Sequence, residues 1–264
     1  MKSKTITLTL VIPAYNEERY LGACLDSVAK QTLMPNEVIV VDNNSTDNTV
    51  KIAKSYKFVK LLHEKNQGIV FARDKGFNAA KSDLIGRIDS DTILEENWVE
   101  KAAEYFNKNL NISAVTGTTK FYDYKLSNHS YKIHEFIYFW IQEKIVSSRI
   151  LWGSNMVIRR SAWLDARTYC NKSNEVHEDI DLTLVLIELN KVIDRIKTVK
   201  ASASLRRENF SYTSTRQYLK LWPKTYFKRQ LYIKGLLIYI LALLVLLGGL
   251  PLFLWHFLSH KSVA

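Results

Sequence analysis

Short apolar runs alternate with amphipathic stretches through the first half of the chain. Residues 5–12 are apolar and β-branched and stop at Pro13, which predicts a strand. Leu21, Leu25 and Val28 then recur at helical spacing. Residues 37–41 form a strand core ending at Asp42, and a polar turn at 43–47 leads into a helix over 48–56 that Ser45 or Thr46 could cap. The alternation continues with a strand at 58–63, a turn at 66–68, a helix at 69–80 and a strand at 84–88. A helix at 98–107 and a strand at 113–118 follow. Strands alternating with helices imply an α/β fold with a mostly parallel, Rossmann-like sheet, right-handed crossovers and helices on its flanks. Past 118 the pattern is less regular: 131–145 is aromatic and amphipathic, 155–158 reads as a short strand and 179–188 as a helix.

The C-terminal part differs in kind. Eight Lys or Arg and one acid fall between Arg206 and Lys234, so +7 of the chain's +11 net charge lies there. Basic and aromatic groups alternate through 206–234, as expected of an interfacial helix pair broken at Pro223. The next 24 residues, 235–258, contain no Asp, Glu, Lys or Arg. As a helix they would be about 36 Å long, enough to cross a bilayer core of about 30 Å. The expected organisation is therefore a catalytic domain over 1–205, a basic aromatic segment over 206–234 and one transmembrane helix over 235–258. The positive charge before the apolar run puts 1–234 in the cytosol, single-pass at the cell membrane. The charge alone also admits nucleic acid. Its position beside the apolar run and the lack of a recognised binding module favour a membrane and no nucleic acid.

Candidate chemistry lies at the strand ends. Asp89 and Asp91 are one residue apart at the end of an apolar strand, so a strand period of two would point both carboxylates the same way. Two such carboxylates suit an oxygen-ligated Mg²⁺ or Mn²⁺ that also binds substrate phosphates. Pro13 and Asp42 end the two earlier strands, and in open parallel sheets ligands bind beyond those carboxyl ends.

In order along the chain stand Val11-Ile12-Pro13-Ala14-Tyr15-Asn16-Glu17-Glu18, Val41-Asp42-Asn43-Asn44-Ser45-Thr46-Asp47, Asn66-Gln67-Gly68 with Ala72-Arg73, Asp89-Ser90-Asp91, Gly153-Ser154-Asn155 and Glu178-Asp179-Ile180-Asp181. With these pieces the chain resembles the family 2 glycosyltransferases, which have a GT-A fold. The resemblance covers roughly 5–190 and departs from the commoner Asp-Asp-Gly-Ser form at Asn43 and Asn44. It implies an inverting, metal-dependent transfer of a sugar from a nucleotide-sugar, most often a UDP-sugar. The nucleotide half would occupy about 1–115 and the acceptor half about 116–205.

By that resemblance Pro13 and Tyr15 border the base, Glu17 and Asp42 contact the ribose or base, and Arg73 lies near the nucleotide. Asp89 contacts the ribose or the metal, Asp91 ligates the divalent cation, Asn155 and Glu178 lie on the acceptor side, and Asp179 is the general base. The residues also admit Glu178 or Asp181 as the base, Asp42 as a helix cap, Arg73 as a surface residue and a role for His177. A lipid-linked or cell-surface glycan acceptor fits a site held near a bilayer. Polyprenyl-phosphate sugar synthases are a close alternative, and a non-catalytic membrane scaffold that retained the fold is the alternative from another class.

Overall fold

The computed structural model describes residues 6–122, 139–204 and 212–260, with the side chains of the last helix described as far as Leu247. Eight strands form one sheet: β1 Leu8–Ala14, β2 Glu37–Asp42, β3 Val59–His63, β4 Leu84–Arg87, β5 Ile93–Leu94, β6 Ile112–Phe121, β7 Met156–Arg159 and β8 Val192–Ala203. Their spatial order is β3-β2-β1-β4-β7-β6-β8-β5. The helices are α1 Leu21–Ala29, α2 Thr49–Ser55, α3 Ile69–Ala79, α4 Trp98–Lys108, α5 Gln142–Val146, α6 Arg160–Ala166, α7 Glu178–Glu188, α8 Tyr212–Lys228 and α9 Tyr232–His260.

Strands β1 to β4 are mutually parallel, as their apolar runs predict. The other half is mixed: β7 runs antiparallel to β4 and β6, β8 parallel to β6, and β5 antiparallel to β8. The expectation of a mostly parallel sheet thus holds only for the first half. The reversal comes at β7, which follows β6 in the chain, pairs with it antiparallel and so also runs against β4 on its other side.

The central strands are buried on both faces, which is why they read as unbroken apolar runs. Leu10, Ile12, Val38 and Val40 point to one face and pack under α1, α2 and α4, including Leu25, Ala53, Trp98 and Phe106. Val11, Ile39 and Val41 point to the other and pack under α3, α6 and α7, including Phe77, Trp163, Leu182 and Val185. After β3, helix α3 carries the chain back to the far side of β1, where it re-enters as β4. Such a reversal leaves a crevice at the carboxyl ends of the strands beside it.

A third apolar cluster joins α7 to the C-terminal helices through Ile180, Leu184, Leu219, Trp222, Tyr226, Ile238 and Leu246. Helix α8 runs through Pro223 without interruption. Burial of Leu219, Trp222, Thr225 and Tyr226 against the domain holds it across the missing N–H. The chain reverses instead at 229–231, where Gln230 takes a left-handed φ of 58°. The apolar run at 235–258 is helical as expected, but one side of it belongs to the globular core: Ile238, Leu241, Ala242 and Leu246 are buried. Among the described residues no helix is long and apolar enough to cross a membrane, so the expected spanning helix is not found. The 131–145 segment lies mostly outside the described residues, as do residues 206–211 of the basic segment.

Candidate active site

A cavity of about 540 Å³ opens at the crevice beside β1 and β4. That volume suits a ligand the size of a nucleotide-sugar. Pro13, Tyr15 and Glu17 line it from the end of β1, Asn43 from the end of β2, Gln67 and Gly68 from the turn before α3, and Asp89, Ser90 and Asp91 from beyond β4. Trp152 and Ser154 enter before β7, and His177, Glu178 and Asp179 at the start of α7. Of the residues expected at the site, Pro13, Tyr15, Glu17, Asp89, Asp91, Glu178 and Asp179 converge here; Asp42, Arg73 and Asn155 do not reach the lining.

The loops are tied together by amides. Asn43 uses both ends of its side chain: Nδ2 donates to the carbonyls of Glu64 and Asn66 at 3.0 and 2.7 Å, and Oδ1 accepts the Gly68 N–H at 2.7 Å. An aspartate could not donate the first two bonds. The departure at this position therefore belongs to the way this chain holds its α3 turn. Gly68 has φ of 140° and a Cβ there would lie 1.9 Å from Asn174 Oδ1, so only glycine fits. Asp42 instead accepts from Ser45 N–H at 3.1 Å and meets His63 Nδ1 at 3.0 Å, buried beneath the turn. It shapes the loop that carries Asn43.

Strand β4 ends at Arg87, so Asp89 and Asp91 lie in the following turn and not at successive inward positions of a strand. The Thr92 N–H donates to the Asp89 carbonyl at 3.0 Å and closes that turn. Asp91 is nearly buried, whereas about a third of the Asp89 side chain is exposed. Asp89, Asp91 and Glu17 sit close enough to Cys24 to add to the effect of burial, which drives its thiol well above the ordinary range. Cys24 and Cys170 are both free and buried.

The residue that organises the site is Arg87, which sequence reasoning passed over as part of an apolar strand. Its side chain is almost fully buried and bridges three carboxylates: Asp89 Oδ1 at 2.9 Å, Glu178 Oε1 at 3.0 Å and Asp179 Oδ1 at 2.7 Å. The only available signal was a charge inside a strand otherwise made to be buried. The Gly153 N–H holds the other oxygen, Asp179 Oδ2, at 2.7 Å. A Cβ at Gly153 would fall 1.0 Å from an Arg87 nitrogen.

Arg73, expected near the nucleotide, is wholly buried. It donates to the Glu178 carbonyl at 2.9 Å, reaches Glu178 Oε2 at 3.3 Å and pairs with Asp74 at 2.8 Å. Its place is beneath the Glu178-Asp179 pair, which it anchors from α3. Asn155 is also wholly buried. Its Nδ2 donates to the carbonyls of Thr118 and Val199, and its Oδ1 accepts from Trp98 Nε1 at 2.8 Å. It clasps β6, β8 and α4 together, and the cavity receives the neighbouring Ser154. Asn155→Ala is expected to lower stability by about 3 kcal/mol, because it strands a buried indole N–H. Urea denaturation measures this, and nucleotide affinity of the folded fraction should stay the same.

Asp181 accepts from Asn171 N–H and Arg229 and anchors the end of α8 to α7, away from the cavity. His177 Nε2 lies 2.7 Å from the Tyr218 hydroxyl. Burial pushes the imidazole down to about 4, so it is neutral at physiological pH. Burial pushes the Glu178 carboxyl up, to about 7; Arg87 pulls the other way and Asp179 adds to the rise.

The described cavity lining contains two residues of cationic type, Arg87 and His177. Arg87 is committed to carboxylates and His177 is neutral. Asp74, Asp89, Glu178 and Asp179 pair with the guanidiniums of Arg73 and Arg87, four carboxylates against two cations, and Asp91 adds a further carboxylate to the cavity wall. No cluster of three or more metal-ligating side chains occurs among the described residues. One or two carboxylates, with water and phosphate oxygens completing the shell, is what Mg²⁺ ordinarily takes, so Asp91 and Asp89 fit such an ion.

Known proteins resemble this chain over much of its length. The chain is 29% identical over 197 residues to a chondroitin synthase of Escherichia coli, an alignment covering 72% of this chain and 28% of that protein. It is 32% identical over 190 residues to a hyaluronan synthase of Pasteurella multocida, covering 70% of this chain and 19% of the relative. The chain thus spans less than a third of the length of these curated relatives. Among solved structures, the mannosyltransferase PcManGT from Pyrobaculum calidifontis, in complex with GDP-Man and Mn²⁺, superposes with a TM-score of 0.69 at 15% identity, covering 99% of this chain and 77% of that one. TarS 1-349 of S. aureus in complex with UDP-GlcNAc gives 0.60 at 19% identity, covering 84% and 73%. At these identities the structures share the fold. The family-wide profile for Glycosyl transferase family 2 matches residues 9–164, more than half of the chain, and the chain belongs to that family.

Proposed function

We propose that the protein is an inverting glycosyltransferase that moves a sugar from a nucleotide-sugar to an acceptor hydroxyl. The observation that carries this reading is the convergence of Asp89, Asp91, Glu178 and Asp179 on one cavity of nucleotide-sugar size. Tyr15 is half exposed at its rim, as a surface for a base should be, and Asn43 and Gly68 shape the floor beneath. Asp91, with Asp89, would hold a divalent cation, Mg²⁺ or Mn²⁺, which when bound neutralises the diphosphate as it leaves. A UDP-sugar is the favoured donor: a structural neighbour binds UDP-GlcNAc, while another holds GDP-Man.

In the transfer the acceptor oxygen attacks the anomeric carbon from the face opposite the phosphate. The bond from that carbon to the phosphate oxygen breaks, and the nucleoside diphosphate departs with the electron pair. The acceptor proton passes to the Asp179 carboxylate, whose orientation Arg87 and Gly153 fix. Each carboxylate oxygen has two lone pairs, so the existing bonds leave room to accept that proton. A lipid-linked or glycan acceptor at the cytosolic face of a membrane is supported by the exposed apolar side of α9 and by the apolar residues Phe121, Trp152 and Leu221 in the cavity wall.

Release of UDP or GDP from a panel of nucleotide-sugars, with and without Mn²⁺, tests the proposal, with Asp91→Ala as control. Metal-dependent release from one donor, lost in the control, supports it. Absence of both release and metal-assisted nucleotide binding would leave a non-catalytic scaffold.

The carboxyl pair also sets a pH dependence. Because burial holds Glu178 near 7, the pair loses negative charge as pH falls through that value, and activity should fall with it. The release rate between pH 5.5 and 9 is expected to show an acid limb near 7. Glu178→Gln removes the titrating carboxyl and should abolish that limb near 7.

A further inference from the structure

Helices α8 and α9 form a hairpin whose two sides do different things. The inner side reaches the cavity. Tyr218 meets His177 there, Leu221 lines the wall, and Thr225 Oγ accepts the His177 N–H at 2.8 Å. The two helices approach closely at Gly235, where a Cβ would lie 2.6 Å from the Phe227 ring. They share one core with Ile180 and Leu184 of α7. The hairpin therefore moves, if it moves, as a unit with Tyr218 attached.

The outer side is apolar. Ile233, Leu236, Ile240, Leu243 and Leu247 are exposed by 80, 55, 47, 40 and 59%. Their spacing of three and four places them in one row along α9, about 21 Å long. Rows of water-facing leucine and isoleucine on this scale mark a contact surface. On α8, Arg216, Lys220, Lys224 and Lys228 are exposed at intervals of four, which makes a basic row. An apolar row next to a basic row complements the acyl region and anionic headgroups of a lipid surface. A second copy of this chain would bring one +7 segment against another, so charge favours the lipid.

We infer that the hairpin seats on an anionic lipid surface, and that seating holds α8 on α7 with Tyr218 and Leu221 in the cavity, so that the membrane activates the enzyme. This rests on the transferase reading above and adds a partner and a control to the same site.

The test uses the full chain with vesicles of phosphatidylcholine alone or mixed with phosphatidylglycerol. Three readouts are taken: co-sedimentation, hydrogen exchange of the α8 backbone, and hydrolysis of UDP-GlcNAc and GDP-mannose. The protein should sediment with the anionic vesicles and much less with neutral ones. Exchange across α8 should slow, and hydrolysis should rise about tenfold, the response to a shift in the population of the seated state. The double variant Leu236→Glu, Ile240→Glu should keep its rate in solution but lose both sedimentation and the rise. Tyr218→Phe should still sediment but show a smaller rise.

Failure to sediment with anionic vesicles, or a soluble dimer that hides the row, would overturn the lipid partner. Sedimentation with unchanged α8 exchange would overturn the coupling. If neither donor is hydrolysed under any condition, the transferase reading fails on that arm. Sedimentation and exchange still decide whether the hairpin seats.

Discussion

Asp179→Asn is expected to lower the rate of sugar transfer by about 10³-fold, within the range that a positioned carboxylate contributes to proton transfer. The amide is nearly isosteric, but its single oxygen can accept from only one of the two donors on Asp179, the Arg87 guanidinium or the Gly153 N–H, and its NH2 then faces the other. The lost bond should lower stability by about 1–3 kcal/mol, while donor affinity of the folded protein should change little and the larger loss should fall on turnover. The size of the loss also reports on the acceptor. A hydroxyl must shed its proton during attack and depends on the base. A phosphate acceptor is already ionised, as for a polyprenyl-phosphate sugar synthase, and would leave the variant largely active. Single-turnover transfer to hydroxyl-bearing and phosphate-bearing lipid acceptors separates the two.

Arg87→Met is expected to be damaging in two ways at once. Asp89, Glu178 and Asp179 share this one guanidinium, and Glu178 and Asp179 are nearly buried. Removing it takes the cation away from Asp89 and Asp179 and leaves Glu178 with Arg73 alone, and breaking comparable buried pairs costs about 3–5 kcal/mol. Since Arg87 pulls the Glu178 carboxyl down, its loss pushes that group still higher, and Glu178 is protonated at physiological pH. Turnover should therefore fall at pH 7 by more than the unfolded fraction explains, and recover partly at higher pH. Arg87→Lys should recover stability better than activity, because an ammonium supplies charge without the planar fork that bridges three partners. A melting curve beside a pH–rate profile for each variant distinguishes the two effects.

Much of the nucleotide half was legible in the residues. Unbroken apolar runs separated by helical spacing mark β1 and β2, because a strand covered on both faces has no polar side to show; β3, at the sheet edge, is only partly buried, and β4 carries the buried Arg87. The mixed second half was not legible: strands of four and two residues, such as β7 and β5, carry too little pattern to fix a direction. The expected strand 155–158 nevertheless falls within one residue of β7.

The site divided in the same way. Residues that touch the cavity came from strand ends and motif positions, whereas Arg73, Asp42 and Asn155 fell among residues that act through others. A buried arginine in salt bridges and a surface arginine beside a ligand look alike in one dimension; which it becomes depends on whether carboxylates from a distant helix arrive over it. Arg87 was hidden for the same reason, since its partners Glu178 and Asp179 lie far along the chain. The C-terminal apolar run shows the reverse limit. Its lack of charge reads equally as lipid exposure or core burial, and in the described part of α9 the two occur on opposite sides of one helix.

The bridge made by Arg87 also bears on how such enzymes can be recombined. Arg87 belongs to the first, parallel half of the sheet, and two of its three carboxylate partners lie on α7, beyond β7 in the chain. A chimera that exchanges everything after β4 would join an arginine chosen for one pair of carboxylates to a strange set. Grafts that carry Arg87, Gly153, Glu178 and Asp179 together as one block should stay active, and specificity can then be redrawn around that block.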